Sequence, residues 1–260
     1  MIVLGSGSAG NATAITDGST TVLVDCGFSA REISKRLASA GIAATSVAAI
    51  LVTHEHSDHV RGIDVFCRRH APACVVYSTA KTWRASGLCD DVANWSALEA
   101  GAPINVGGLE ILAFRTSHDA ADPVGYRIGA ETGVVGVATD TGVFTPEARE
   151  ALSDCGVVGL ESNHDVRMLE TGPYPAFLKR RISSRHGHLS NADAADALES
   201  IAHDGLEQVF AMHRSRTNNT TSLAAIVLQT RLERIGLDIP VTVAAQDAAC
   251  DSHPRQLPLL

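Results

Sequence analysis

His54-Glu55-His56-Ser57-Asp58-His59 packs four potential metal ligands into six residues. An apolar run, Ala48 to Val52, precedes it and indicates a buried strand, so the segment lies in the loop that leaves a strand. From such a loop, His54 and His56 can face one position, and Asp58 and His59 a second position beside it. A lone histidine is usually a surface residue or a hydrogen-bonded core residue. A cluster of three histidines and an aspartate on one loop contributes little to core packing, so it predicts a metal site for Zn²⁺ or Mn²⁺.

Two adjacent cations need further ligands and a bridging carboxylate, and suitable residues follow three later apolar runs. His118 comes after the predicted strand 109–114, Asp140 after 134–138, and His213 after 209–211. These three residues are the candidates for the remaining ligands of two adjacent metal sites.

The order of secondary structure indicates an α/β fold. Short apolar runs separated by turn residues dominate the early part of the chain, and helices alternate with strands in the last third. Ser29 is predicted to cap a helix over 30–40, and Ser190 a helix over 191–202 with Asp193 in a capping-box-like position. Sheets sandwiched between helices are the architecture that this pattern predicts.

One domain accounts for most of the chain. The residues from Ser57 or Asp58 to Phe66 are predicted to form one helix directly after the metal motif. The domain is expected to cover 1–245, followed by a polar, proline-containing tail over 246–260 that is loosely held.

Composition narrows the class of protein. Of the 260 residues, 45% are hydrophobic and 19% are charged, which is typical of a folded globular chain. No apolar run reaches the roughly 18 residues that span a membrane, and the start does not resemble a signal peptide. The six cysteines include no CxxC pair. Free thiols and a cytoplasmic location are therefore expected.

The net charge of −8 argues against a protein that coats long stretches of DNA. It does not exclude a nuclease, because two bound cations change the charge at the place where phosphate must lie. A local basic cluster, Lys179-Arg180-Arg181 with Arg185, stands against the acidic background. Such a cluster is most often a solvated surface.

The motifs together resemble the metallo-β-lactamase superfamily, over roughly 1–245. Asp25 is similar to the aspartate that usually braces the metal loop in that superfamily. Within it, the chain looks most like the YycJ/WalJ group. The departure is His213-Arg214-Ser215, where the last motif usually reads His-Leu-Ser. The segments that carry this resemblance are Gly5-Ser-Gly-Ser-Ala-Gly-Asn11, Gly125-Tyr126-Arg127, Glu161-Ser-Asn-His-Asp165, Gly187-His-Leu-Ser-Asn191 and His213-Arg-Ser-Arg-Thr-Asn-Asn219.

The resemblance implies an αββα sandwich, with two mixed β-sheets flanked by helices. It also implies a 5′→3′ exonuclease that acts on DNA. In the hypothesis that follows, His54, His56 and His118 hold one metal, Asp58, His59 and His213 hold the other, and Asp140 bridges them. A water between the metals loses a proton and attacks phosphorus as a metal-bridging hydroxide. Activity is expected to need Asp58 and to be lost in an Asp58→Ala variant.

Glu161 and His188 are the predicted proton donor pair. Their order and spacing are similar to a glutamate–histidine pair in the ribonuclease Z branch of the superfamily. A carboxylate raises the pKa of a neighbouring histidine, and the leaving oxygen of a phosphodiester needs a proton. The alternative is that His188 caps or positions the helix that follows.

Several polar residues are candidates for substrate contact. Ser8 and Asn11 lie in a glycine-rich loop whose backbone N–H groups can bind an anion, although a tight turn without a ligand is equally expected. His164 follows Glu161 by three residues, and Asn218 and Asn219 follow the last metal ligand.

Other functions compete with the nuclease hypothesis. The same site can hydrolyse another ester, a thioester or a lactam, and a sensor can bind metal and nucleic acid without turnover. A di-iron protein of this fold normally has a carboxylate at or near the position of His56 and a flavin domain, and neither is present. The sequence leaves open the metal, the choice of DNA or RNA, and the oligomeric state.

Overall fold

A computed structural model of the chain describes residues 1–252, and within them the strands form two mixed seven-stranded sheets. The first sheet has the order β14-β1-β2-β3-β4-β5-β6, antiparallel from β14 to β3 and parallel from β3 to β6. Its strands are β1 (Ile2–Gly5), β2 (Ala12–Thr16), β3 (Thr21–Val24), β4 (Val47–Leu51), β5 (Val75–Ser78), β6 (Trp95–Ala97) and β14 (Cys250–Asp251).

The second sheet repeats this division. Its order is β13-β12-β11-β10-β9-β8-β7, parallel from β13 to β10 and antiparallel from β10 to β7. Its strands are β7 (Pro103–Val106), β8 (Leu109–Arg115), β9 (Val124–Ala130), β10 (Gly133–Ala138), β11 (Val157–Glu161), β12 (Gln208–Met212) and β13 (Val241–Val243).

Helices cover the outer faces of both sheets. Residues of α1 and α3 pack in one core with β1 to β5, and residues of α5, α8 and α9 pack in another core with the second sheet. The helices are α1 (Ala30–Ser39), α2 (Ser57–Val60), α3 (Ile63–Arg69), α4 (Ala80–Ser86), α5 (Pro146–Leu152), α6 (Val166–Thr171), α7 (Ala176–Ile182), α8 (Asn191–Ile201) and α9 (Thr221–Arg234).

The strands of the sheet centres are buried on both faces, which explains their continuous apolar runs. In β4, Ile50 packs under the helices, whereas Ala49 and Leu51 pack between the two sheets. In β12, Val209 faces helices and Phe210 faces the other sheet. Successive side chains of a strand alternate between its faces. The arrangement is therefore the predicted αββα sandwich of two mixed sheets between helices.

The prediction of a single helix after the metal motif is wrong. This segment forms two helices, α2 and α3, which are separated at Gly62. The Gly62 N–H donates to the Cys26 carbonyl at 2.8 Å, and a Cβ at Gly62 would lie 2.1 Å from the carbonyl oxygen of Phe28. The loop that carries Cys26 and Phe28 thus packs directly against the backbone here, and two helices meet at this contact.

The described part of the predicted tail is attached to the rest of the fold, and its residues 250 and 251 form a strand of the first sheet. The side-chain amide of Gln246 donates to the Gly10 carbonyl at 2.7 Å, and β14 pairs with β1. The remainder of the predicted tail, 253–260, lies outside the described residues. The sheet therefore continues beyond the predicted domain end at 245.

The structure gives a result for the cysteines and for membrane-spanning helices, the two features for which the composition made a prediction. All six cysteines are free thiols, as their scattered positions predict. Among residues 1–252, no helix has both the length and the apolar character needed to cross a membrane.

Candidate metal centre

The polar residues of the site follow the ends of parallel strands in both sheets. Asp25 follows β3 and His54 follows β4 in the first sheet. Asp140 follows β10, Glu161 ends β11, and His213 follows β12 in the second. The carboxyl ends of parallel strands lie on one edge of a sheet, and ligands typically bind there in α/β proteins. All five side chains are buried.

Three of these residues have a left-handed backbone. The φ angles are 62° at Asp25, 54° at Asp140 and 50° at His213, and the described residues include no other non-glycine residue with positive φ. This conformation is unfavourable for residues with a Cβ, although aspartate and histidine adopt it more often than most. Strained backbone of this kind concentrates at functional sites, where the surrounding structure maintains it.

The first predicted group of ligands is assembled in the structure. His54, His56 and His118 each offer a nitrogen atom, and these atoms lie within 4.8 Å of one another. The His54 Nε2 atom is 3.0 Å from the His56 Nδ1 atom. The His118 ring centroid is 5.0 Å from that of His54 and 5.1 Å from that of His56. Three imidazoles at these separations are suited to one divalent cation.

The second predicted group is also assembled. Ligand atoms of Asp58, His59 and His213 lie within 4.8 Å of one another. The Asp58 Oδ2 atom is 3.5 Å from the His59 Nε2 atom and 3.7 Å from the His213 Nε2 atom. This group adjoins the first, since the His54 and His59 rings have centroids 4.1 Å apart.

Asp140 contacts both groups. Its Oδ1 atom lies 3.8 Å from the His118 Nε2 atom, and its Oδ2 atom lies 3.3 Å from the His59 Nε2 atom. One carboxylate is therefore placed with an oxygen toward each group. A bridging ligand between two cations requires this placement, so the geometry supports the predicted role of Asp140.

A second layer of contacts orients the imidazole rings. In each of four histidines the Nδ1 atom is engaged, so the Nε2 atom is left for the centre. This pattern fixes the ring orientation and the tautomer of a metal-binding histidine. The Nδ1 contacts are His54 to Thr53 Oγ1 at 3.0 Å, His59 to Asp25 Oδ2 at 2.7 Å, His118 to the Gly187 carbonyl at 3.0 Å, and His213 to Glu161 Oε1 at 3.1 Å.

Two buried atoms show that the donor set fits cations. Asp140 Oδ2 and His213 Nε2 form no hydrogen bond with any group of the described residues. Buried polar atoms without partners are rare and costly, whereas divalent cations would satisfy both. Burial opposes a charge on His59, yet the carboxylates of Asp25 and Asp140 raise its pKa well above the ordinary value. The cluster of imidazoles and carboxylates is therefore suited to binding metal ions.

Glu161 joins His188 to the centre. Its Oε1 atom lies 2.7 Å from the His188 Nδ1 atom, and Oε2 accepts from the Thr141 and Leu189 N–H groups. Burial raises the pKa of Glu161, but His188 and His213 outweigh it and lower that pKa to about 2. Burial lowers the pKa of His188, and the Glu161 carboxylate more than offsets this, so the pKa is raised. The predicted pair is therefore in contact, with an anionic glutamate.

The glycine-rich loop is fastened to the second ligand group. Asn11 is buried, and its Nδ2 atom lies 3.1 Å from His59 Nε2 and 3.4 Å from Asp58 Oδ2. Its Oδ1 atom accepts from Ser6 Oγ–H at 3.1 Å. Ser8 is exposed at the turn of the same loop. Asn11 thus contacts the second ligand group directly, and substrate contacts for Ser8 and Asn11 stay predictions.

The two asparagines after His213 differ. The buried Asn219 side chain forms hydrogen bonds with the Asn191 side chain and with the carbonyls of Ser162 and Asn163, so it joins three segments of the chain. A substrate contact for Asn219 stays a prediction. Asn218 is fully buried, and its two side-chain polar atoms have no hydrogen-bond partner in residues 1–252.

Sequence reasoning missed several supporting residues. The Ser6 hydroxyl accepts from the His213 N–H at 2.8 Å, and Asn163 Nδ2 donates to the His213 carbonyl at 2.8 Å. The Thr141 N–H donates to Glu161. Thr141 and Asn163 are polar residues one or two positions from a predicted site residue, and this adjacency was the available signal.

Comparisons with known proteins agree with this geometry. A family model described as a beta-lactamase superfamily domain matches residues 20–213. The exodeoxyribonuclease YycJ of Bacillus anthracis is 34% identical over 240 residues, which cover 91% of this chain and 90% of that protein. The exodeoxyribonuclease WalJ of Streptococcus pneumoniae serotype 2 is 32% identical over 255 residues, with coverages of 96% and 94%.

The fold has a solved counterpart in the metallo-beta-lactamase fold protein YhfI from Bacillus subtilis. The TM-score is 0.72 at 16% identity, and the match covers 96% of this chain and 98% of the other. At that identity the likeness concerns the fold alone. From the family model, the two relatives and the metal-binding cluster, the chain belongs to the β-lactamase superfamily, and within it to the YycJ/WalJ group of metal-dependent hydrolases.

Proposed function

We propose that this protein is a two-metal phosphodiesterase that removes nucleotides from the 5′ end of DNA. The contact between Glu161 and His188, beside the two ligand groups, carries the proposal. This pair supplies a proton donor, and hydrolysis of a phosphodiester needs one because its leaving oxygen is a poor leaving group until it is protonated. The names of the relatives, both exodeoxyribonucleases, support DNA as the substrate and removal from an end.

The residues of the two groups would hold the cations. In this proposal His54, His56 and His118 bind one cation, and Asp58, His59 and His213 bind the other, with Asp140 shared. Bound Zn²⁺ or Mn²⁺ would lower the pKa of a water molecule and neutralise charge on the phosphate oxygens.

His188 is placed to act as the general acid. Its Nδ1 atom is engaged by Glu161, so Nε2 is the nitrogen that can donate a proton. The raised pKa keeps the ring protonated at higher pH than an ordinary histidine. A thiolate leaves without a proton far more readily than an alkoxide does, so this pair favours a phosphodiester over a thioester.

End-labelled DNA and RNA, single- and double-stranded, test the proposal when incubated with Mn²⁺ or Zn²⁺ and resolved as product ladders. Mononucleotides released from the 5′ end of DNA, with loss of activity in chelator, are expected. A His188→Ala variant should lose roughly 10²- to 10⁴-fold in turnover. His70→Ala, which changes a histidine outside the ligand groups, serves as the matched control.

Two outcomes would contradict this function. One is an Asp58→Ala variant with full nuclease activity, because that residue belongs to a ligand group and not to the surface. The other is faster metal-dependent turnover of a glutathione thioester or a cephalosporin than of any nucleic acid. Products that are internal fragments would replace the exonuclease with an endonuclease.

A further inference from the structure

A cavity of about 380 Å³ opens beside His188, and none of the seven proposed metal ligands lines it. Its walls come from α6, from α7 and from the segment that begins α8. Val166, Leu169 and Ala176 give it an apolar side, and Lys179 and Arg180 give it a basic side. A cavity of this size lies at the small end of the range for small-molecule sites.

His164 contributes an unpartnered polar group to this cavity. It is 3% exposed, and its Nδ1 atom forms no hydrogen bond among residues 1–252. Its backbone is fixed, because the Asn191 N–H donates to the His164 carbonyl at 2.8 Å. A buried side-chain nitrogen without a partner is rare in proteins, and this one belongs to a residue that lines the cavity.

The wall formed by α6 and α7 has a charge opposite to that of the chain. Residues 166–185 contain five arginines and lysines and one glutamate, whereas the whole chain has a net charge of −8. None of the side chains of α7 is buried. Lys179 Nζ donates to the Glu170 carbonyl, and Arg180 forms no ion pair within the described part of the chain. Their charges are therefore available to an anion.

Two carboxylates, Glu170 and Asp193, also line the cavity, and neither forms an ion pair with Lys179 or Arg180 among the described residues. Asp193 accepts from the Ser190 hydroxyl at 2.6 Å and from the Ser190 N–H at 3.2 Å, so it belongs to the cap of α8. Glu170 is exposed at the edge of α6. The side chains of Lys179 and Arg180 are thus not neutralised by direct pairing, and a phosphate is expected to bind at these two side chains and not to be attracted by a net positive charge of the cavity.

We propose that this cavity binds the terminal 5′-phosphorylated nucleotide of the strand, the unit that leaves in each turnover. This inference rests on the proposed function, in which His188 protonates the leaving oxygen. The leaving unit must then lie on the His188 side of the scissile phosphate, where the cavity is. Lys179 and Arg180 complement the 5′-phosphate, His164 offers a hydrogen bond, and the apolar side contacts sugar and base.

The bond changes agree with this placement. Water oxygen forms a bond to phosphorus, the bond from phosphorus to O3′ breaks, and the His188 proton passes to O3′. The proton that water loses passes to solvent, from which His188 is protonated again. The released nucleotide keeps its 5′-phosphate, and the shortened strand has a new one. Each turnover therefore regenerates the group that the cavity binds.

The test compares DNA strands that differ in the 5′ end alone. The kcat/KM of the metal-loaded enzyme is measured on one oligonucleotide with a 5′-phosphate and with a 5′-hydroxyl. Wild type should prefer the phosphorylated strand by roughly tenfold or more, since charge-assisted contacts to phosphate are strong. Arg180→Gln should reduce that preference severalfold. Arg149→Gln, which removes the same charge from the exposed face of α5, should leave the preference unchanged.

Binding supplies a readout that does not depend on turnover. Deoxyadenosine 5′-monophosphate should raise the melting temperature of the wild-type holoenzyme more than deoxyadenosine or inorganic phosphate does. The increase should be smaller in Arg180→Gln and in His164→Leu. Melting curves of the free variants show whether each has folded.

The outcomes separate the two proposals. If wild type hydrolyses neither DNA nor bis(p-nitrophenyl) phosphate with Mn²⁺, the proposed function fails. If the wild-type enzyme degrades DNA with equal kcat/KM for 5′-phosphate and 5′-hydroxyl ends, the proposed nucleotide-binding role of the cavity is refuted. The proposed exonuclease function is then unaffected. Equal loss on both ends in Arg180→Gln also overturns the pocket, because it shows general attraction of DNA.

Discussion

The Nδ1 atom of His59 lies 2.7 Å from the Oδ2 atom of Asp25, and both residues are buried. The other oxygen of Asp25 accepts from the Thr53 N–H at 2.9 Å. One carboxylate at the end of β3 thus fixes both the start of the metal loop and the ring of a proposed ligand. Asp25 belongs to neither proposed ligand group, so its effect on metal binding is exerted through His59.

Asp25→Asn should weaken metal binding without unfolding the protein. An amide NH₂ facing His59 Nδ1 disfavours the tautomer in which Nε2 is free to bind a cation. Loss of such an orienting partner typically costs about 10- to 100-fold in metal affinity. Competition with a chelating dye measures the change. Asp204→Asn, at an exposed position, is the control, and equal affinities in the two variants would contradict the role of Asp25.

Glu161→Gln should move the alkaline limb of the pH–activity profile to lower pH. The pKa of Glu161 is about 2, so the carboxylate is charged at any working pH and raises the pKa of His188. A general acid acts while it is protonated, and activity falls as pH rises through its pKa. Removing the negative charge beside His188 should shift the midpoint of the alkaline limb to lower pH by about one pH unit or more.

Metal loading must be held constant in that experiment, because Glu161 also contacts His213. The profile is therefore recorded with cation in excess, and bound metal is measured for each variant. In His188→Ala the limb should be absent. A limb that stays in place in Glu161→Gln, with normal metal content, would show that another group supplies the proton.

Asn219→Ala should be a stability variant. The Asn219 side chain donates to two backbone carbonyls and accepts from Asn191 Nδ2 at 3.0 Å and from the Thr220 N–H at 2.9 Å. Truncation leaves buried groups without partners, at about 1–3 kcal/mol for each. Urea unfolding should show a loss of roughly 3 kcal/mol. Asn105→Ala on the exposed side of β7 should change stability by less than about 0.5 kcal/mol. An unchanged stability with a raised KM would instead support the predicted substrate contact of Asn219.

Local patterns explain what could be predicted from the sequence. Caps and apolar periodicity placed α1 and α8 to within a residue or two, because Ser29 and Ser190 act on their own helices. The clustering of the proposed ligands was predictable because the carboxyl ends of parallel strands lie on one edge of a sheet. The partners of Asn11 and Asn219 were not, since they come from distant loops. Helix α7 has no buried face, so it leaves no apolar period in the sequence.

Removal of the cations should lower the melting temperature. Asp140 Oδ2 and His213 Nε2 are buried and lack partners among the described residues, so bound cations would satisfy them in the folded state alone. A ligand at about 100 times its Kd stabilises the folded state by about 2.7 kcal/mol. For a chain of this size that corresponds to a shift of roughly 5–10 °C.

The variants in this melting experiment distinguish the two ligand groups. His118→Ala should keep part of the shift produced by Mn²⁺ or Zn²⁺, because it changes the first group and leaves Asp58, His59 and His213 in place. Asp140→Ala should lose most of the shift, since its two oxygens face both groups. It should also be less destabilised by chelator than wild type, because it has one buried carboxylate fewer to leave without a partner. Metal analysis that finds one ion in wild type and one in His118→Ala would refute the two-site arrangement, whatever the melting temperatures.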